Sequence, residues 1–212
     1  MDKVKLLLVC GSPRPKARSA TYAGLMAAME GAQSIDGVEV ELVELFGRKI
    51  APCIHCNKCL RDDSDRCTVF HDDMDELYDK FFQADGIIIG CPVYDMNVTA
   101  QLAQFYSRFR SSWKLSVDNT SFFQYKVGAG IVVGGTRNGG QEAVLRSIHN
   151  LFSTHGINIC SCGGGIYGGA MLWNPGDGST TMDDPIGIDN CRTLGRKVAQ
   201  VAKALKAGHE MV

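Results

Sequence analysis

Short apolar runs alternate with longer amphipathic stretches along this 212-residue chain, and that alternation leaves few folds open. Val4 to Cys10, Val38 to Leu45, Gly86 to Cys91, Val127 to Val133 and Ile157 to Cys160 read as strands. The run GIIIGC is apolar at successive positions, as a strand buried on both faces must be. Between the strands, Ser19 to Ala32, Asp72 to Ala84, Val98 to Arg110 and Gln141 to His155 carry apolar residues at spacings of three and four, the pattern of a helix with one buried face. A last helix is expected from about Asp189 to Ala207, after a Gly/Asp/Thr/Pro-rich stretch from Met171 to Pro185 that reads as a surface loop. About five strands alternating with about five helices predict an α/β fold, a doubly wound five-stranded parallel sheet with helices on both faces. With no repeat and no low-complexity linker, residues 1–212 are expected to form a single domain carrying a cysteine-rich loop at about 50–70.

In a parallel sheet the loops that follow the strands all open on one edge, and ligands bind there, where the winding direction reverses. The loops of this chain therefore carry the functional argument. Charge narrows the partners first. Twenty-two basic side chains face 23 acidic ones, a net charge of −1, so no strong field is available for nucleic acid or an anionic membrane. The apolar run at the N-terminus is too short for a signal-peptide core or a membrane span, and the cytoplasm is the expected location.

After the first strand, Gly11-Ser-Pro-Arg-Pro-Lys-Ala-Arg-Ser19-Ala-Thr21 opens a helix. Free backbone N–H groups and hydroxyls at a positive helix end suit a phosphate, with Arg14, Lys16 or Arg18 adding charge. Ser12 and Ser19 equally fit a turn residue and a helix cap. The loop has neither the dinucleotide fingerprint nor the NTPase phosphate loop. Cys91-Pro-Val-Tyr-Asp-Met-Asn97, after the third strand, offers a stiff backbone and an aromatic face to a flat ring. Gly134-Gly-Thr-Arg-Asn-Gly-Gly140, after the fourth, lets backbone lie close against a ligand. An ordinary tight loop explains any one of these; three on one edge are harder to dismiss.

Nine cysteines are many for a chain without an export signal. Cys53, Cys56 and Cys59 stand two residues apart, with Cys67 seven residues further on, the compact spacing that can wrap a [4Fe–4S] cluster. Tetrahedral zinc is satisfied by four thiolates too, and free thiols are the plain structural reading. His55, inside the motif, reads as exposed loop. Cys10, Cys91, Cys160, Cys162 and Cys191 read as small buried hydrophobes. His149 and His155 read as surface or packing residues of a helix, and Trp113 and Trp173 fall in loop-like stretches. No Ser-His-Asp set or paired carboxylate site is visible, and no catalytic side chain is assigned.

GSPR with its Ser/Thr-containing helix start, CPVYDMNVTAQL and GGTRNGGQEAVLRSIHNLF resemble the FMN-contacting segments of NAD(P)H-dependent FMN reductases. The closest likeness is to the iron–sulfur flavoprotein branch of that flavodoxin-like family, whose compact cysteine motif matches the spacing from Cys53 to Cys67. The resemblance runs from Val4 to about His155, with a weaker echo in LGRKVAQVAKAL. It implies that Ser12, Arg14, Ser19 and Thr21 hold the FMN phosphate. It implies further that Pro92, Val93, Tyr94, Asp95, Met96 and Asn97, with Gly134, Gly135, Asn138 and Gly139, surround the isoalloxazine. Cys53, Cys56, Cys59 and Cys67 are then the cluster ligands. Family members often carry Asn-Thr where this chain has Arg18-Ser19-Ala20-Thr21, which opens the register of the phosphate contacts by a residue or two.

The expected function is electron transfer between a ferredoxin-like carrier or NAD(P)H and a small-molecule acceptor, in a homo-oligomer (dimer or tetramer), with the flavin carrying the chemistry. The alternative is an NAD(P)H-dependent FMN/quinone reductase without a working cluster, and a third reading is a zinc-stapled binding module that has lost its flavin.

Overall fold

Strand β1 (Val4–Cys10) pairs on one side with β2 (Val38–Glu44) and on the other with β3 (Gly86–Pro92), both parallel. These positions come from a computed structural model that describes residues 3–119, 121–175, 183–209 and 211. Beyond β3 lies β4 (Val127–Gly134), which pairs first with β5 (Asn158–Ile159) and then with β6 (Gly169–Trp173). The order is therefore β2-β1-β3-β4-β5, with β6 alongside the second half of β4 and every pair parallel. The chain winds outward from β1 to β2 and then crosses back to β3, so the winding reverses between the ends of β1 and β3.

The helices in chain order are α1 (Ala20–Gln33), α2 (Lys58–Arg61), α3 (Met74–Gln83), α4 (Ala100–Arg108), α5 (Trp113–Asp118), α6 (Ser121–Gln124), α7 (Gln141–His155) and α8 (Pro185–His209). Strand residues alternate between two cores because successive side chains leave opposite faces of the sheet. Leu7 and Val9 join a core with Leu77 and Phe81 of α3, Phe105 of α4 and Ile148 of α7. Leu6, Leu8 and Cys10 join the other, with Leu25 and Ala28 of α1 and Leu194 and Val198 of α8. Strands β3 and β4 are buried almost throughout, whereas β2 at the sheet edge alternates exposed and covered residues. The α/β class, the parallel sheet and the main helices agree with the pattern in the sequence.

The expected loop from Met171 to Pro185 needs correction. Met171, Leu172 and Trp173 complete β6, which pairs with β4 from Gly130↔Gly169 to Gly134↔Trp173. The fifth position of the sheet is split: β5 is only two residues long, and a turn with positive φ at Gly163, Gly164, Gly165 and Gly168 precedes β6. Five residues flanked by Gly and Asn-Pro are too short to show a period, and only pairing with β4 reveals the strand. Residues 176–182 of that stretch lie outside the described residues. Helix α8 starts at Pro185, four positions before the expected Asp189, because Pro needs no N–H partner in the first turn. Asp184 braces this start, accepting from Gly187 N at 2.9 Å and from Trp173 N at 3.0 Å. Trp113, expected in a loop, opens α5. Among the described residues no helix is long and apolar enough to cross a membrane.

Candidate functional site

A cavity of about 180 Å³ opens at the C-terminal edge of the sheet, lined from the ends of β1, β3, β4 and β6. From the first loop come Ser12, Arg14, Ser19, Ala20 and Thr21. Ser12, Ser19 and Thr21 are polar yet only 3%, 3% and 2% exposed, so their hydroxyls sit where the first turn of α1 presents its unpaired N–H groups. Ser19 Oγ caps α1 by accepting from Tyr22 N at 3.1 Å, and Ser12 Oγ accepts from Arg14 N at 3.2 Å. The turn-and-cap reading of the two serines thus holds alongside their place at the cavity wall.

From β3 come Pro92, Val93 and Tyr94. Tyr94 and Asn97 exchange backbone hydrogen bonds at 3.0 and 2.8 Å, closing a tight turn whose tip, Asp95 and Met96, adopts positive φ. From β4 come Val133, Gly134 and Gly135, and from the end of β6, Asn174, whose N–H donates to Gly134 O at 2.9 Å. Gln141, at the start of α7, accepts from Gly139 N at 2.8 Å and donates to Thr136 O, holding this loop in shape. Trp173 Nε1–H donates to Gly135 O at 3.1 Å, and the Arg137 guanidinium lies 5.0 Å over its ring. A Cβ added at Gly135 meets nothing within 4 Å, so the backbone there faces open space at the wall.

Nine of the residues expected at the site line this cavity together: Ser12, Arg14, Ser19, Thr21, Pro92, Val93, Tyr94, Gly134 and Gly135. Arg18 sits on an exposed 3₁₀ turn (Lys16–Arg18) and is not part of the wall. Asp95, Met96 and Asn97 form the exposed turn above it, and Asn138 and Gly139 stand further out in their loop. Ala20, Val133 and Asn174 also line the wall without having been expected there. Val133 reads as core strand, and Asn174 becomes visible only once β6 is recognised. At the ends of β1 and β3, burial pushes the thiols of Cys10 and Cys91 up to about 11 and about 12, so both stay neutral at ordinary pH.

The cysteine loop follows β2 on the same edge. Cys53, Cys56, Cys59 and Cys67 line one small cavity of about 20 Å³, with Ile54, Asn57, Val69, Phe70, Arg108, Arg110 and Ser111. Positive φ at His55 and Asn57 coils the loop inward. Backbone N–H groups point at sulfur, His55 N to Cys53 Sγ at 3.4 Å and Phe70 N to Cys67 Sγ at 3.5 Å, as a thiolate ligand would require. Burial raises the Cys59 thiol, and the neighbouring Cys67, Cys53 and Cys56 add to that. All four are free of disulfides. Among the described residues no three His, Cys, Asp or Glu side chains are grouped as a ready-made metal site. The donor set and its inward N–H groups nonetheless suit a thiolate-bound metal group. Buried hydroxyls at a helix start beside open backbone suit a phosphate-bearing planar ligand.

The remaining singled-out residues are structural. Cys10, Cys91, Cys160 and Cys191 are buried, and Cys162 is half-buried. His155 is buried between Ser112 Oγ at 3.0 Å and Leu151 O at 2.9 Å, and His149 Nε2 meets Gly168 O at 2.7 Å.

The family model described as NADPH-dependent FMN reductase matches residues 4–164, which takes in β1 to β5 and both candidate cavities apart from Asn174. The chain belongs to the NADPH-dependent FMN reductase family. Membership makes it a flavin-dependent oxidoreductase. Within this FMN reductase family its relatives include an iron-sulfur flavoprotein of Methanocaldococcus jannaschii, 36% identical over 96% of this chain and 100% of that protein. Another is an iron-sulfur flavoprotein of Methanosarcina thermophila, 35% identical over 98% and 100%. Among solved structures, a flavodoxin, WrbA-like protein from Agrobacterium tumefaciens superposes with a TM-score of 0.64 at 19% identity, covering 96% of this chain and 99% of that one. The fold of this FMN reductase-family chain is thus flavodoxin-like, as its sequence implies.

Proposed function

We infer that the chain binds FMN in the cavity between β1, β3 and β4 and a [4Fe–4S] cluster on Cys53, Cys56, Cys59 and Cys67. With these it moves electrons between a ferredoxin-like carrier or NAD(P)H and a small acceptor. The observation that carries this reading is the presence of both cavities on one edge of one sheet. Ser12, Ser19 and Thr21, with Arg14 and the first N–H groups of α1, are the phosphate contacts in this reading; Tyr94 and the backbone of Gly134 and Gly135 flank the ring. Arg18, Asp95, Met96, Asn97, Asn138 and Gly139 stay as candidate contacts that reach a ligand from the outer loops.

When bound, FMN supplies hydride or single-electron chemistry and a cluster supplies single electrons, so the pair converts between the two modes. The chain itself orients, seals and holds charge. Burial keeps the Cys10 and Cys91 thiols at the ends of β1 and β3 protonated at ordinary pH. Cytoplasmic location, one folding unit over residues 1–212 and a homo-oligomer complete the proposal.

A second reading is an NAD(P)H-dependent FMN or quinone reductase with no working cluster. It is favoured by one feature: no residue of the cysteine loop lines the larger cavity, which is complete without it. Anaerobic purification followed by absorption spectroscopy and iron, sulfide and zinc analysis separates the readings. Flavin with iron and sulfide supports the first, and flavin alone the second. Zinc without flavin supports a stapled binding module instead. Bleaching of the flavin by NADPH or only by a reduced ferredoxin then identifies the donor.

A further inference from the structure

Under the four cysteines lies an ion pair between a buried guanidinium and a half-buried carboxylate. Arg108, at the end of α4 and 2% exposed, donates from Nη1 to Asp72 Oδ2 at 2.7 Å and to Ala51 O at 3.1 Å, and from Nη2 to Phe70 O at 3.2 Å. Asp72 Oδ2 also accepts from Ala51 N at 2.9 Å. Ala51 stands just ahead of Cys53 and Phe70 just after Cys67, so this single pair ties together both stems of the cysteine loop. Ser107, the neighbour of Arg108 on α4, accepts from Cys53 N at 3.0 Å and fixes the first ligand position against the same helix.

One nitrogen of the Arg108 guanidinium has no partner among the described residues. Its Nε–H is among three buried side-chain N or O atoms without a partner in the described residues, although Arg108 lines the cysteine cavity. A buried cationic N–H is seldom left without an acceptor in a native fold, and such an orphan calls for a specific explanation. The wall that Arg108 shares holds the four cysteines with Ile54, Val69 and Phe70; of its polar side chains, Asn57 Oδ1 accepts from Arg110 and the Ser111 hydroxyl is turned to Arg108 O and Tyr78, so the acceptor that suits Nε–H is sulfur: a cysteine thiolate or an inorganic sulfide.

We propose that Arg108 is the positioning residue of the cysteine site, closing the loop through Asp72 and donating its Nε–H to a sulfur of the bound cluster. The inference rests on the cluster reading given above. A cationic donor at sulfur stabilises the more negative state of a cluster, so it raises the reduction potential. A residue that only braced the loop would hold the metal without shifting that potential.

Arg108→Lys isolates the donor, because lysine keeps a cation to face Asp72 but puts a methylene where Nε–H stands. Wild type and variant are reconstituted anaerobically with iron and sulfide, and iron and sulfide are counted per flavin. The cluster midpoint is followed by EPR-monitored titration. The expected result is a loaded variant whose midpoint lies at more negative potential than that of wild type. Equal loading with an unchanged midpoint overturns the inference while leaving the cluster reading intact. Wild type that takes up no iron and sulfide overturns both. Should Arg108→Lys lose its far-UV dichroism, the pair is removed together in Asp72→Asn/Arg108→Met. That protein is expected to keep its flavin and to bind iron about tenfold less tightly. Retention of a wild-type cluster at the wild-type potential there also overturns the inference.

Discussion

Thr99 Oγ1 donates a 2.6 Å hydrogen bond to Gly11 O, tying the loop after β3 to the loop after β1. Thr99 is 1% exposed, and the same oxygen caps α4 by accepting from Leu102 N at 3.3 Å. One hydroxyl thus joins the loops after the two strand ends between which the sheet reverses its winding.

Thr99→Val is expected to destabilise the apoprotein. The substitution keeps the shape, leaves Gly11 O without its donor and removes the cap, together costing about 2 kcal/mol. Urea denaturation reads the stability and fluorescence titration reads FMN affinity, which is expected to fall because both loops loosen. A variant matching wild type in both measurements contradicts the role given to this bond.

Gly134 and Gly135 are expected to respond in opposite ways to valine. A Cβ at Gly134 runs into the amide of Gln141, so Gly134→Val strains a buried strand end and costs about 1–3 kcal/mol of stability. A Cβ at Gly135 meets open space, so Gly135→Val is expected to unfold like wild type yet lose flavin. Flavin retained by Gly135→Val would remove this wall from the site.

Helices α1 and α8 touch backbone to backbone. A Cβ at Gly31 overlaps the Arg192 carbonyl, and one at Gly195 overlaps the Ala28 carbonyl. Gly195→Ala, which in an exposed helix would be favourable, is therefore expected to lower stability by at least about 1–3 kcal/mol. Thermal melting of the apoprotein checks this; an unchanged or raised Tm would mean that the helices can part without loss.

Apoprotein stability is expected to fall above about pH 8.5, the usual thiol range. Burial raises Cys10 to about 11 and Cys91 to about 12, and raises Cys191 further. The folded state therefore keeps protons that the unfolded chain releases, and the stabilising contribution, complete below the unfolded thiol pKa, is lost as pH climbs through the folded values. Each such thiol lowers the unfolding free energy by about 1.4 kcal/mol per pH unit within that window. Lys126, lowered by burial to about 8, acts in the opposite sense between that value and its ordinary one, offsetting one thiol. Denaturation curves from pH 8 to 10.5 test the balance, and a flat or rising stability would contradict it.

The sequence by itself determined what local pattern can determine. The run Gly86 to Cys91 read as a doubly buried strand, Ser19 offered a cap to the helix it precedes, and the spacing from Cys53 to Cys67 marked a compact cysteine loop before any fold was drawn. These depend on residues close in the chain, where periodicity and capping act. Only the tertiary structure decided the rest, because it joins residues far apart. β6 exists through its pairing with β4, and Asn174 reaches the cavity through that strand. Arg108 lies under the cysteines because α4 crosses the base of a loop some 40 residues earlier in the chain, reaching Asp72 at a separation of 36 residues and Ala51 at 57. A buried arginine in an amphipathic helix looks like any surface arginine in sequence. Its meaning comes from the carboxylate, carbonyls and sulfurs that folding brings around it.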